Sequence, residues 1–279
     1  MSLSFQTNVT ALTAETNLQV NSDFQSQTIT RLTSGFRINS SGDDAAGLAV
    51  ANGLRSTVSE LTQGVRNAND GTSILQTVDG GLNNISNILD QLKSLATQSA
   101  SGTFSGNRAT LNQEFTTLLG EIDRQAANIG LGSGAGTSAA YNSVIAVYIG
   151  GGSTLANAQV IIDLSGSANV VNSGGLGIGL DAVDTQANAM QAITDISAAV
   201  TTLGKTQGIV GTGENDLNYA ISLAQSQITN NSAAESRIRD ADVAKEAANL
   251  TKSQVLEQSS VAALAQANSA PQALLKLLQ

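Results

Sequence analysis

The side chains that carry most protein chemistry are scarce in this chain. Its 279 residues include no His and no Cys, which removes imidazole bases, thiolate nucleophiles, disulfides and the usual zinc sites. Carboxylates remain. Asp43–Asp44, and the group Asp240, Asp242 and Glu246, could pair as acid and base or hold a hard cation. Both groups stand where a helix is expected to begin, and acidic side chains there cap free N–H groups and oppose the helix dipole. That is the role assigned to them, with Ser41-x-x-Asp44 read as a capping box. Gly177-Ile-Gly-Leu-Asp-Ala182 fits G-x-G-x-x-A, but a helical heptad follows it instead of an acid-bearing strand, so the context of a dinucleotide site is missing. No catalytic, cofactor or metal residue is assigned, and the chain is expected not to be an enzyme. With no side chain of ordinary pKa between pH 6 and 8, its behaviour is expected to be flat over that range.

The elements around these residues point to helices. Hydrophobic residues make up 41% but aromatic ones only 3%, so the apolar content is Ala, Leu, Ile and Val, suited to thin helical packing. Thirteen Lys+Arg against 22 Asp+Glu leave a net charge of −9, which argues against nucleic acid and against an anionic membrane surface as partner. No apolar run is long enough to span a bilayer. Glycine marks the boundaries: 12 of the 27 lie between 130 and 180, and none precedes Gly35 or follows Gly213. Glycine is costly inside helices, so the flanks read as helical and the centre does not.

The flanks carry heptads. Ala51, Leu54, Val58, Leu61, Val65 and Ala68 alternate at 3 and 4; after a phase slip near Asp70-Gly71, Leu75, Val78, Leu82, Ile85, Leu89, Leu92 and Ala96 resume. This seam predicts a helix over about 44–99, roughly 80 Å at 1.5 Å per residue. A second helix with Leu111, Phe115, Leu118 and Ile122 on one face is expected to fold back on it. Downstream, Ile193, Ile196, Val200, Leu203, Gln207, Val210, Glu214, Leu217, Ile221, Ala224 and Ile228 keep one phase. Gln207 and Glu214 intrude on it, and the glycines at 204–213 predict a local defect or kink. Tyr141–Ile149 and Ala158–Leu164 are β-branched runs around Gly150-Gly151-Gly152 and read as a hairpin, with a third short strand expected near Leu176–Leu180. Replacing Ser143–Leu176 by a short linker is expected to leave the helices intact.

Arg31-Leu-Thr-Ser-Gly-Phe-Arg-Ile-Asn-Ser-Ser-Gly-Asp-Asp-Ala-Ala-Gly-Leu-Ala-Val50, Val65-Arg-Asn-Ala-Asn-Asp-Gly71, Glu121-Ile-Asp-Arg124, Ser236-Arg-Ile-Arg-Asp-Ala-Asp-Val243 and Leu264-Ala-Gln-Ala-Asn268 with Pro271-Gln272 together resemble bacterial flagellins over about 1–128 and 181–279. A Phe-Asn-Gly motif usual after the third of these is replaced by Gln125-Ala-Ala-Asn-Ile-Gly-Leu-Gly132. A hook–filament junction protein shares parts of the pattern, but the short length and dense motifs favour the filament subunit. The resemblance implies a mainly α fold: a long antiparallel coiled-coil rod formed by the N- and C-terminal regions, with a small central β-hairpin insert. It implies three parts: paired terminal helices at 1–40 and 240–279 that form the filament's inner tube, a helical region at 41–130 and 181–239, and a Gly-rich β insert at 131–180.

The residues expected to serve polymerisation are Phe5, Leu12, Leu18, Arg31, Leu32, Arg37, Leu250, Leu264, Leu274 and Leu277. Gln91, Leu95, Gln98 and Glu114 match the receptor-contacting helices of flagellins that stimulate the vertebrate Toll-like flagellin receptor. Gln91 replaces an Arg there, which implies weak binding. The resemblance further implies self-assembly into the extracellular flagellum, export by the flagellar type III apparatus without a cleaved signal peptide, and an export chaperone, a filament cap and hook-junction proteins as partners.

Overall fold

A computed structural model describes residues 7–132, 140–152, 154, 157–166 and 169–277, with side chains to 269. It contains α1 (Val9–Ser34), α2 (Ala45–Ala100), α3 (Arg108–Asn128), β1 (Val144–Tyr148), β2 (Gln159–Asp163), α4 (Gln186–Arg239) and α5 (Val243–Leu277). The described residues are 74% helical, with one two-stranded antiparallel sheet among them, as the sequence pattern indicates. Two compact units are present, one of residues 1–56 and 230–279 and one of 57–229.

In the first unit, α1 and α5 pair antiparallel. Asn8 caps α1 by accepting from the Ala11 N–H at 3.1 Å, and its own amide donates to Ala267 O at 2.9 Å. Gly35 ends α1 with φ 72°, its N–H returning to Arg31 O. The following turn is organised by Asp43, which accepts from the N–H groups of Asn39 and Ser40 at 3.1 and 2.9 Å. These bonds, the one from Ser40 foremost, hold its carboxyl below the usual range. Asp44 itself, rather than Ser41, caps α2 by accepting from Gly47 N–H at 2.9 Å. Asp242 caps α5 through Ala244 and Lys245 N–H groups. The acidic clusters thus sit at helix starts as expected, satisfying donors that would otherwise be free.

The second unit contains the main core, built on α2, α3 and α4 with the insert packed against them. Antiparallel α2 and α3 are tied at the turn by Arg108, which donates to Ser99 O and Ser101 O at 3.1 Å each. The described residues of 131–180 pack within the second unit. Val147, Ile149, Ala158, Ile162, Leu164, Val171, Leu176 and Ile178 are all buried, and all but Ala158 belong to the helices' own core cluster. The hairpin register pairs Val144 with Asp163 and Tyr148 with Gln159. The expected third strand near Leu176–Leu180 is instead a set of turns, entered by the Asn172 side chain accepting from Gly175 N–H at 2.8 Å and passing Gly177 at φ 76°.

The seams differ from the expected ones in a consistent way. In α2 the buried line runs Leu61, Gly64, Ala68, Gly71, Leu75 and on to Ser99 without a slip, and Val65 is only half-buried. In α4 it runs Ala189, Ala192, Ile196, Ala199, Leu203, Thr206, Val210, Gly213 and Leu217; Gln207 and Glu214 flank it, and the helix is continuous from Gln186 to Arg239. Small residues occupy seam positions that larger apolar neighbours were expected to fill, and at three of them the insert approaches closely. A Cβ on Gly64 would fall 1.7 Å from Ile149 O, one on Gly71 3.0 Å from Val147 Cγ2, and one on Gly213 2.9 Å from Ile162 Cγ1.

Candidate self-association surface

The line where α1 and α5 meet mixes polar and aliphatic residues. Along α1 its heptad positions are Ala11, Ala14, Leu18, Asn21, Gln25, Thr28 and Leu32, with Phe24 and Arg31 also shielded beside them; along α5 they are Glu246, Leu250, Ser253, Glu257, Ser260, Leu264 and Ala267, with Asn249 beside them. Both sets follow an unbroken heptad. Asn21 donates to Ser260 Oγ at 2.8 Å across the pair, and Thr28 satisfies its hydroxyl on Phe24 O. Thr28, Glu246 and Ser253 are the most buried side chains of the two helices, whereas Val9, Leu12, Val20, Val243, Val255 and Val261 are all more than half exposed.

This distribution is inverted for two helices meant to stand alone in water. Six half-exposed aliphatic side chains, with the less exposed Ile29 and Leu256, leave about 10 kcal/mol of burial unrealised per copy at 1.5–3 kcal/mol per fully buried group. The surface is therefore apolar on several sides at once. Further neighbours, not a single partner groove, would cover it.

Between the helix pair and the turns, a cluster of cations locks the chain crossing. Arg37 N–H donates to Arg239 O at 2.6 Å and Ala241 N–H to Gly35 O at 2.8 Å, with a bridge between Phe36 and Asp240. The Arg239 guanidinium lies 4.1 Å from the Phe36 ring centroid, and the Arg37 guanidinium donates to Ile238 O. Arg31 reaches Asp43 at 3.8 Å. Arg31 and Arg37 thus serve the joint of their own unit.

Of the other residues singled out in the sequence, Leu18, Leu32, Leu250 and Leu264 lie half-buried along the seam, and Leu12 points outward. Phe5 and the side chains of Leu274 and Leu277 lie outside the described residues. In the second unit, Gln91 and Gln98 are exposed and Leu95 half-buried on one face of α2, with Glu114 exposed on the adjacent α3. The polar seam residues Asn21, Thr28, Ser253 and Ser260 went unnoticed in the sequence; the heptad spacing would have found them had polar residues been counted.

Two family models match, the bacterial flagellin N-terminal helical region over residues 5–130 and the C-terminal helical region over 182–278. The chain belongs to the bacterial flagellin family. It is 34% identical to a flagellin of Halalkalibacterium halodurans over 98% of each chain. It is 35% identical to the flagellar filament 30.7 kDa core protein of Treponema maltophilum, over 97% of this chain and 98% of that one. It is 31% identical to flagellin D of Vibrio anguillarum over the full length of both. This flagellin is a structural subunit, not an enzyme. It polymerises with copies of itself into the extracellular flagellar filament that drives motility.

Proposed function

We propose that the paired terminal segments, 1–40 and 240–279, are the polymerisation switch of this flagellin and form the inner tube of its filament. The outward-facing valines around a seam that is only half aliphatic are the observation that carries this reading. Two such helices alone bury too little to offset an ordering cost of about 1–2 kcal/mol per residue. In a tube each gains neighbours on several sides, so ordering is coupled to assembly. Leu12, Leu18, Leu32, Leu250, Leu264, Leu274, Leu277 and Phe5 supply that contact area, while Arg31 and Arg37 hold the crossing at its base. Limited proteolysis of the monomer should leave a core of about Ser40–Arg239 that no longer polymerises. Truncation after Ala263 should block filaments with monomer circular dichroism nearly unchanged; normal filaments from that chain would refute the assignment.

Segments that stay unfolded until assembly also suit passage through the flagellar type III apparatus without a cleaved signal peptide. An export chaperone, a filament cap and hook-junction proteins are the partners that this route and a growing filament require. For the Toll-like flagellin receptor, exposed Gln91 and Gln98 beside Glu114 support a weak contact. A Gln in place of a guanidinium loses a planar multi-donor group of the kind that forms hot spots. Gln91→Arg should strengthen the receptor response, and equal responses from the two proteins would refute this contact.

A further inference from the structure

The glycines of α4 fall into two kinds. Gly213 has a packing reason, since a Cβ there would lie 2.9 Å from Ile162 Cγ1. Gly204, Gly208 and Gly211 have none: a Cβ on any of them meets nothing within 4 Å, and none has a positive φ. Alanine would fit all three and would hold the helix about fivefold more firmly at each. The seam beneath them is polar at one point. The shielded position between Leu203 and Val210 is Thr206, held to Asn169 by a 3.3 Å hydrogen bond. On the sheet side an open groove of about 480 Å³ runs past Lys205, Gly208, Ile209 and Asp216 towards Ile161 and Asp163. Weak backbone, a polar seam residue and an open groove coincide over two turns of this helix.

We propose that residues 204–212 are a compliant joint in α4, a stretch that opens and bends ahead of its flanks. The flanks are pinned by Ile196 and Leu203 on one side and by Gly213 and Leu217 on the other, all buried. In the filament, and resting on the assembly reading above, a bend available in every copy sets how readily the polymer flexes. Hydrogen exchange on the full-length monomer tests the joint. Amides of 205–212 should exchange up to about a hundredfold faster than those of 190–199 and 217–224, from three glycines at about fivefold each. The double variant Gly208→Ala/Gly211→Ala should slow them about 25-fold, whereas Gly80→Ala, an equally open site in α2, should leave them unchanged. Equal exchange across the three stretches, or no slowing in the double variant, would overturn the joint. Filaments of the double variant should be stiffer by electron-microscopic persistence length; unchanged bending would overturn the mechanical role. Failure of the wild-type chain to form filaments would strike the assembly reading alone, because the exchange measurement uses the monomer.

Discussion

Gly64→Ala sets two effects against each other whose magnitudes decide the sign. Alanine improves helix propensity at this interior position of α2 by about 1 kcal/mol. The added methyl, however, falls 1.7 Å from Ile149 O, 2.4 Å from Ile149 C and 2.6 Å from Ile149 Cα. Those are backbone atoms and have no rotamer through which to escape. Restoring an ordinary contact of about 3.2 Å means withdrawing the end of the hairpin by roughly 1.5 Å, and overpacking of this kind typically costs 1–3 kcal/mol, occasionally more. The withdrawal also strains Asn67 Nδ2→Tyr148 O at 3.0 Å and Tyr148 Oη→Glu60 at 2.6 Å, and loosens buried Val147 and Ile149. A net loss of about 2 kcal/mol is expected, a fall in Tm of about 4–8 °C for a unit of this size. Gly80→Ala carries the same propensity gain with no atom within 4 Å and should raise Tm by about 1–4 °C. Differential scanning calorimetry of the monomer reads both. A Gly64→Ala protein as stable as wild type, or more so, would show that the hairpin is not seated on α2 as described.

Replacing Ser143–Leu176 by a linker should abolish cooperative unfolding of the second unit, contrary to the expectation from sequence. The deletion removes seven buried apolar side chains among the described residues, Val147, Ile149, Ala158, Ile162, Leu164, Val171 and Leu176, worth about 10 kcal/mol against a typical total stability of 5–15 kcal/mol; near-ultraviolet circular dichroism would show it. Burial, and then the charge of Asp195, push the Asp181 carboxyl up to about 6. A raised folded-state pKa favours the folded form below it, so stability should increase as pH falls from 7.5 to 5 and be lost as pH rises through about 6. Because Asp181 is only partly buried, solvent screening holds the effect to about 1 kcal/mol, and Asp181→Asn should flatten it in pH-dependent melts. Asp123→Ala removes the acceptor of Ser173 N–H at 2.7 Å and of Ser173 Oγ at 3.1 Å. It should cost about 1–3 kcal/mol and release the 169–178 turns, measurable as faster amide exchange there.

Much of the architecture is local in origin and was therefore legible. Heptad spacing commits α2 and α4 to helix whatever they pack against, and β-branched runs around Gly150–Gly152 commit the hairpin. The same holds for the acidic caps, because Asp44 and Asp242 bond N–H groups two or three residues away. Which face of each helix is buried is not a local property. At Gly64, Gly71 and Gly213 the sequence reads as helix weakness, and only the approach of Ile149, Val147 and Ile162 turns those positions into the floor of the core. At Gly204, Gly208 and Gly211 nothing approaches, and the same residue type remains a weakness. The terminal helices show the converse. Their valines look like core in one dimension, but the antiparallel pairing turns Asn21, Thr28, Ser253 and Ser260 inward and leaves the valines outside. A side chain's burial depends on which other backbone comes near it, and that is decided by the long-range fold.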